Sequence, residues 1–172
     1  MKIVTFGEML LRLSPNGFKR FRQTDRFEPW FGGAEANVAV ALAQWGVQSA
    51  FVSKMPDHEI GQGAIDSLRK FGVDPSQIVR GGDRIGIYFC EKGASQRPSK
   101  VIYDRKHSAF ATAARGDFDW NCILDGADWF HITGITPALG GEIPDICRDA
   151  LEICRERKIK VSCDLNYRST LW

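Results

Sequence analysis

The chain has 172 residues, with 23 Lys and Arg against 21 Asp and Glu, a net charge of +2. Hydrophobic residues make up 44% and charged residues 26%. That is the balance of one globular domain, and it excludes a disordered chain, a collagen-like repeat and two full domains. The even charge gives no reason to expect a nucleic-acid or membrane partner, and no apolar run approaches the ~18 residues of a membrane span. Glu8 and Arg12 interrupt the first thirteen residues, against a signal peptide. The five cysteines (Cys90, Cys122, Cys147, Cys154 and Cys163) form no C-x-x-C pair. They read as reduced thiols of a cytoplasmic protein, without a zinc ribbon or a redox motif.

In chain order, Lys2–Phe6 is a β-prone run ending at Gly7. Phe27–Phe31 is a possible strand. Ala34–Trp45 follows Gly32-Gly33 and is apolar on nearly every side, the pattern of a helix buried against a sheet, with Gly46 at its C-terminal cap. Gln48–Lys54 reads as a strand. Ile60–Phe71 is an amphipathic helix with Ile60, Ala64, Ile65, Leu68 and Phe71 on one face, ended by Gly72. Ile85–Glu91 and Lys100–Arg105 alternate, and the polar stretch 92–99 joins them as a hairpin. Trp129–Thr133 is a buried strand. A helix over Glu142–Arg157 carries Ile143, Ile146, Cys147, Ala150 and Cys154 along one face, and Lys160–Asp164 is the next strand. Alternating strands and helices predict an α/β fold with a largely parallel sheet, and the hairpin predicts a small antiparallel flap beside it. No helix follows Lys160–Asp164 to cover it, so the pattern is expected to be the front part of a longer fold.

Three local patterns carry chemistry. Phe31-Gly32-Gly33-Ala34-Glu35-Ala36-Asn37 leads into a helix: the two glycines let a ligand approach the backbone, and free N–H groups favour an anion or hydroxyls. A plain packing turn accounts for it equally well. It is not G-x-G-x-x-G, and no G-x-x-x-x-G-K-[ST] occurs, which removes the dinucleotide and P-loop readings. In Tyr103-Asp104-Arg105, Tyr103 and Arg105 share a strand face, with Tyr88 on the paired strand. An aromatic beside a guanidinium suits a sugar ring bearing a carboxylate; an ordinary solvent-facing pair is the alternative. Asp164-Leu165-Asn166-Tyr167-Arg168 lies beyond a strand's carboxyl end, where open α/β sheets bind ligands. Lys19, Arg20 and Arg22 between Phe18 and Phe21 mimic a single-strand binder but are diluted by acidic neighbours. His131, on an apolar strand, reads as a hydrogen-bonded core histidine.

Together these motifs resemble the ribokinase-like (pfkB) carbohydrate kinases. The resemblance rests on Gly7-Glu8, Gly32 through Asn37, Gly86-Ile87-Tyr88-Phe89, Tyr103 through Lys106, His131 through Leu139 and Asp164 through Trp172, and it covers the whole chain. It implies an α/β sandwich with a β lid, formed by segments at about 11–31 and 83–106. It implies ATP, with Mg2+, as phosphoryl donor to the terminal hydroxyl of a keto sugar acid, 2-dehydro-3-deoxygluconate. Gly33, Ala34, Glu35, Ala36, Asn37, Tyr88, Tyr103, Asp104, Arg105 and Arg168 would bind the sugar acid. Asn166, Tyr167 and Arg168 would reach the nucleotide, and the lid would mediate homo-oligomerisation. The family's catalytic Gly-Ala-Gly-Asp and its magnesium-linked Asn-x-x-Glu are absent. Asp125-Gly126-Ala127-Asp128 lacks the middle glycine and precedes a strand. No catalytic residue and no metal ligand is therefore assigned. The alternatives are a fructokinase-like relative and a non-catalytic sugar-acid-binding or interaction protein.

Overall fold

The computed structural model describes all residues, Met1–Trp172. Nine strands and four helices follow one another as β1 (Lys2–Phe6), β2 (Leu10–Pro15), β3 (Phe27–Gly32), α1 (Ala34–Gln44), β4 (Gln48–Met55), α2 (Glu59–Lys70), β5 (Ile78–Arg80), β6 (Gly86–Glu91), β7 (Lys100–Asp104), α3 (Trp120–Ile123), β8 (Trp129–Thr133), α4 (Ile143–Glu156) and β9 (Lys160–Asp164). They build two sheets. One is five-stranded and parallel, in the order β5-β4-β1-β8-β9; the other has four strands, in the order β3-β2-β6-β7.

The parallel sheet separates two cores. Val4 and Phe6 of β1, Ala50 and Val52 of β4, and Phe130 and Ile132 of β8 point to the face covered by α3, α4 and the 110–124 segment. Alternation sends Phe51 and Met55 to the other face, where α1 and α2 pack with Ala36, Ala39, Ala64, Ile65 and Leu68. The predicted stripe of α4 is buried in full: Ile143, Ile146, Cys147, Ala150 and Cys154 all lie in the first core. Burial pushes the Cys147 thiol up to about 12 and Cys154 to about 11, so both act as small apolar side chains and not as nucleophiles.

Four expectations need correction. The flap is a mixed sheet, because β2 pairs with β3 antiparallel but with β6 parallel. Strands β2 and β6 are separated by β3, α1, β4, α2 and β5, and a long crossover brings strands together in the parallel sense. Two strands, β2 and β5, went unread: β2 ends in Pro15 and carries Arg12, and β5 has three residues. Helix α1 is fully buried only along Glu35, Ala36 and Ala39. Val38, Val40 and Leu42 are half-buried because the sheet covers one side of the helix alone. On α2, Ile60 and Phe71 lie at the helix ends and stay exposed. As expected, β9 is a sheet edge with Val161 exposed, and His131 is hydrogen-bonded, its Nδ1 2.8 Å from Ser162 Oγ.

At the centre of the first core, the Phe6 ring lies 5.2 Å from Phe110, 5.3 Å from Phe118 and 5.1 Å from Trp120. Three aromatic partners leave little room for the site to collapse. Phe6→Ala should therefore cost about 3–5 kcal/mol in urea unfolding; a loss below about 1 kcal/mol would show that this cluster is not a packed core.

Candidate functional site

The carboxyl end of the parallel sheet, the start of α1 and the inner face of the four-stranded sheet enclose a cavity of about 260 Å3. Gly33, Ala34, Glu35 and Asn37 form one wall. Tyr88, Tyr103 and Arg105 come from the lid strands and their exit, and Asn166 and Arg168 from the segment after β9. Residues 103 and 105 share a face as the strand period requires. Register places Tyr88 opposite Tyr103, with ring centroids 5.8 Å apart. The Arg105 guanidinium lies 5.7 Å from the centre of the Tyr103 ring. Arg12, one strand over, helps to ionise Tyr88, but burial outweighs it and holds the phenol above its ordinary value.

Two of the expected sugar-binding residues face elsewhere. Ala36 is buried in the core between α1 and the sheet, so it has no surface for a ligand. Asp104 lies between two cavity residues on a strand and so points to the opposite face, where it pairs with Arg84 at 2.9 Å. The nucleotide set is divided as well. Asn166 and Arg168 line the same cavity as the sugar residues, whereas Tyr167 lines a neighbouring hollow of about 920 Å3, on whose rim stand Lys106, His107 and Arg168. These three side chains suit phosphate oxygens. No group of three His, Cys, Asp or Glu side chains is gathered anywhere in the chain. Asp128, the end of the Asp125–Asp128 decoy, accepts a hydrogen bond from the Lys2 backbone N–H at 2.7 Å and anchors the start of β1.

Gly32 of the predicted glycine pair also lines the cavity, together with residues that the sequence did not point to as ligand contacts: Glu8, Leu10, Ile135 and Thr136. Two of its walls depend on buried carboxylates. Glu35 Oε1 accepts hydrogen bonds from the Thr133 N–H at 3.0 Å, Thr133 Oγ1 at 2.8 Å and Thr136 Oγ1 at 2.6 Å. It thereby fastens the start of α1 to the loop after β8. A Cβ at Gly7 would collide with this carboxylate, which is why the turn after β1 has no side chain. Glu8 is 4% exposed. Its Oε2 accepts from Arg105 Nε at 2.8 Å and from Arg105 Nη2, and its Oε1 accepts from Ser108 Oγ at 2.5 Å. Gly33 admits the Glu8 backbone, since a Cβ there would overlap the Glu8 carbonyl oxygen. Arg168 has no carboxylate partner in the chain and is the unpaired cation of the cavity.

The pfkB family carbohydrate kinase model matches residues 1–172. The chain belongs to that family. Its structure superimposes on a crystal structure of 2-dehydro-3-deoxygluconokinase from Thermotoga maritima with a TM-score of 0.99 and 61% identity, covering 100% of this chain and 53% of that one. A 2-dehydro-3-deoxygalactonokinase of Haloferax volcanii is 39% identical over 99% of this chain and 54% of its own. A 2-dehydro-3-deoxygluconokinase of Bacillus subtilis is 32% identical over 98% of this chain and 52% of its own. The chain thus spans about half the length of the relatives it matches. The ribokinase-like sandwich with its β lid is shown by these superpositions.

Burial is the largest influence on Glu8 and raises its carboxyl above the ordinary value of 4.5. Arg105 and the Ser108 hydroxyl oppose this, and the nearby charge of Glu35 adds to it. A raised folded-state value means that folding favours the protonated acid. The contribution of this group to stability is therefore fully present below pH 4.5 and is lost as pH rises through the folded-state value. Urea melts of the wild type and Glu8→Gln across this range should show the variant gaining relative stability as pH rises, then levelling off; a difference independent of pH would reject the assignment. Glu35→Ala strands the Thr133 N–H and two hydroxyls and should cost about 1–3 kcal/mol for each group left unpaired, read in the same melts.

Proposed function

We propose that this chain carries the sugar-acid site and lid of an ATP-dependent kinase acting on a six-carbon 2-keto-3-deoxy sugar acid, 2-dehydro-3-deoxygluconate or its galactonate epimer. The observation that carries this reading is Arg168, an unpaired guanidinium in a cavity whose other walls are two tyrosine rings and the polar start of α1. A carboxylate needs such a cation once water is removed, and a neutral ketose does not. The names of the relatives support the acid over a neutral sugar.

In this reading the two tyrosine rings, side by side on the lid, cover one side of the carbon chain, and Gly33, Ala34 and Asn37 meet the hydroxyls through backbone and amide groups. Bound ATP would supply the phosphoryl group to be transferred. Lys106 and His107 would hold its phosphate oxygens from the adjoining hollow. Neither carboxylate of the cavity is placed to take the sugar's proton: Glu8 is held by Arg105 and Ser108, Glu35 by Thr133 and Thr136. The proton acceptor would therefore lie outside these 172 residues. Trp30 on the lid is an exposed apolar side chain outside both cavity linings, which we expect a second copy of the lid to cover. We place the protein in the cytoplasm; no helix is long and apolar enough to cross a membrane.

Calorimetry with 2-dehydro-3-deoxygluconate and with fructose tests the site. The wild type should favour the acid, and Arg168→Ala should weaken the acid by about 1.5–3 kcal/mol while leaving fructose nearly unchanged. Equal losses would reject the carboxylate role. Arg105→Ala is a poorer probe, because it abandons Glu8 as a buried charge. A coupled ADP-release assay with ATP, Mg2+ and the sugar acid should show no turnover by residues 1–172; substantial turnover would place the proton acceptor inside this chain. Light scattering should give a dimer that Trp30→Glu dissociates.

A further inference from the structure

The cavity's charges balance in an unexpected way. Its lining carries two carboxylates, Glu8 and Glu35, and two guanidiniums, Arg105 and Arg168. Arg105 is the cation that its strand position offers most directly to a ligand carboxylate, yet two of its nitrogens are already committed to Glu8. The Arg105 side chain is 14% exposed. It leaves β7 at the root of the lid, whereas Glu8 lies in the turn between β1 and β2, at the carboxyl end of the central strand of the parallel sheet. Ser108 Oγ fixes the second carboxylate oxygen and itself accepts the Ala111 N–H at 3.1 Å, so the Glu8 side chain has no freedom to turn away.

We propose that Glu8 is a positioning and charge-setting residue for acid recognition, acting through Arg105. It holds the guanidinium fork in one orientation beside Tyr103 and, in its ionised form, cancels its charge. The attraction of the cavity for an anion is thereby left to Arg168. This inference rests on the sugar-acid reading above and deepens it by assigning unlike roles to the two arginines. The other charged group close to Glu8 within the cavity is Glu35, which adds negative potential and no cation. Replacing Glu8 with glutamine keeps the shape and both contacts: the amide oxygen accepts from Arg105, and the amide N–H donates to Ser108 Oγ. Only the charge is removed.

Charge-setting and mere scaffolding then predict opposite signs. In calorimetry, Glu8→Gln should bind 2-dehydro-3-deoxygluconate at least about fivefold more tightly than the wild type, because an uncompensated guanidinium now faces the carboxylate in a partly desolvated site. Fructose should change by less than about twofold, since it carries no charge to feel the difference. The double variant Glu8→Gln/Arg105→Gln should lose the gain, which places the effect on Arg105. A ligand-free readout accompanies this: solvent exchange of the Arg105 Nε–H, followed by 15N NMR. It should be slow in the wild type and in Glu8→Gln, and faster by at least about tenfold in Glu8→Ala, where nothing holds the fork. Weaker acid binding by Glu8→Gln, equal changes for acid and fructose, or a gain that persists without Arg105 overturns the inference, as does slow exchange in Glu8→Ala. A wild type that binds neither sugar, or prefers fructose, overturns the sugar-acid reading instead, and the exchange rates then decide whether Glu8 positions Arg105.

Discussion

A carboxylate buried at the start of a helix holds the cavity in shape. Glu35 reaches from the first turn of α1 to the end of β8 and accepts three hydrogen bonds on one oxygen. Each donor belongs to the segment Thr133–Thr136, so the loop that supplies Ile135 and Thr136 to the cavity wall cannot move independently of the helix that supplies Gly33, Ala34 and Asn37. The absence of a side chain at Gly7 makes this possible, because the carboxylate occupies the space where a Cβ would stand. A helix N-terminus favours negative charge, which lowers the cost of burying Glu35 without a cation beside it.

Glu8 performs a related task at the boundary between the two sheets. Its contact with Arg105 spans 97 positions of sequence, and Ser108 completes it. The parallel sheet and the lid line the cavity from opposite sides, and this junction sets their distance where Tyr103 enters it. Buried ion pairs contribute little net stability, because desolvation offsets much of the attraction. Their geometry is nonetheless well defined, and a cavity built between two elements benefits from that definition. The division of labour among the polar groups follows: Glu8 and Glu35 shape the cavity, Arg105 links lid and sheet, and Arg168 carries its free positive charge.

Much of this was legible before any coordinates. The bounds of β8 and β9 and the buried stripe of α4 follow from apolar runs and a 3.6-residue period that no tertiary contact overrides. The shared face of Tyr103 and Arg105 follows from the twofold period of a strand, and so does the opposite orientation of Asp104, which was legible and passed over. Strand β2 was not, since a short run with Arg12 and Pro15 is a strand only because β3 and β6 flank it. The parallel pairing of β2 with β6 is likewise a product of the whole intervening crossover.

The sequence by itself determined the α/β class, the order of the elements, the family resemblance and most of the side chains that line the cavity, because periodicity and short motifs are local properties of the chain. Only the tertiary structure decided that Glu8 lies against Arg105, that Glu35 is a fastener, and that Arg168 stands free. Those facts depend on which distant groups meet, Glu8 and Glu35 in places without water and Arg168 exposed, and no local pattern records which carboxylate will find which cation.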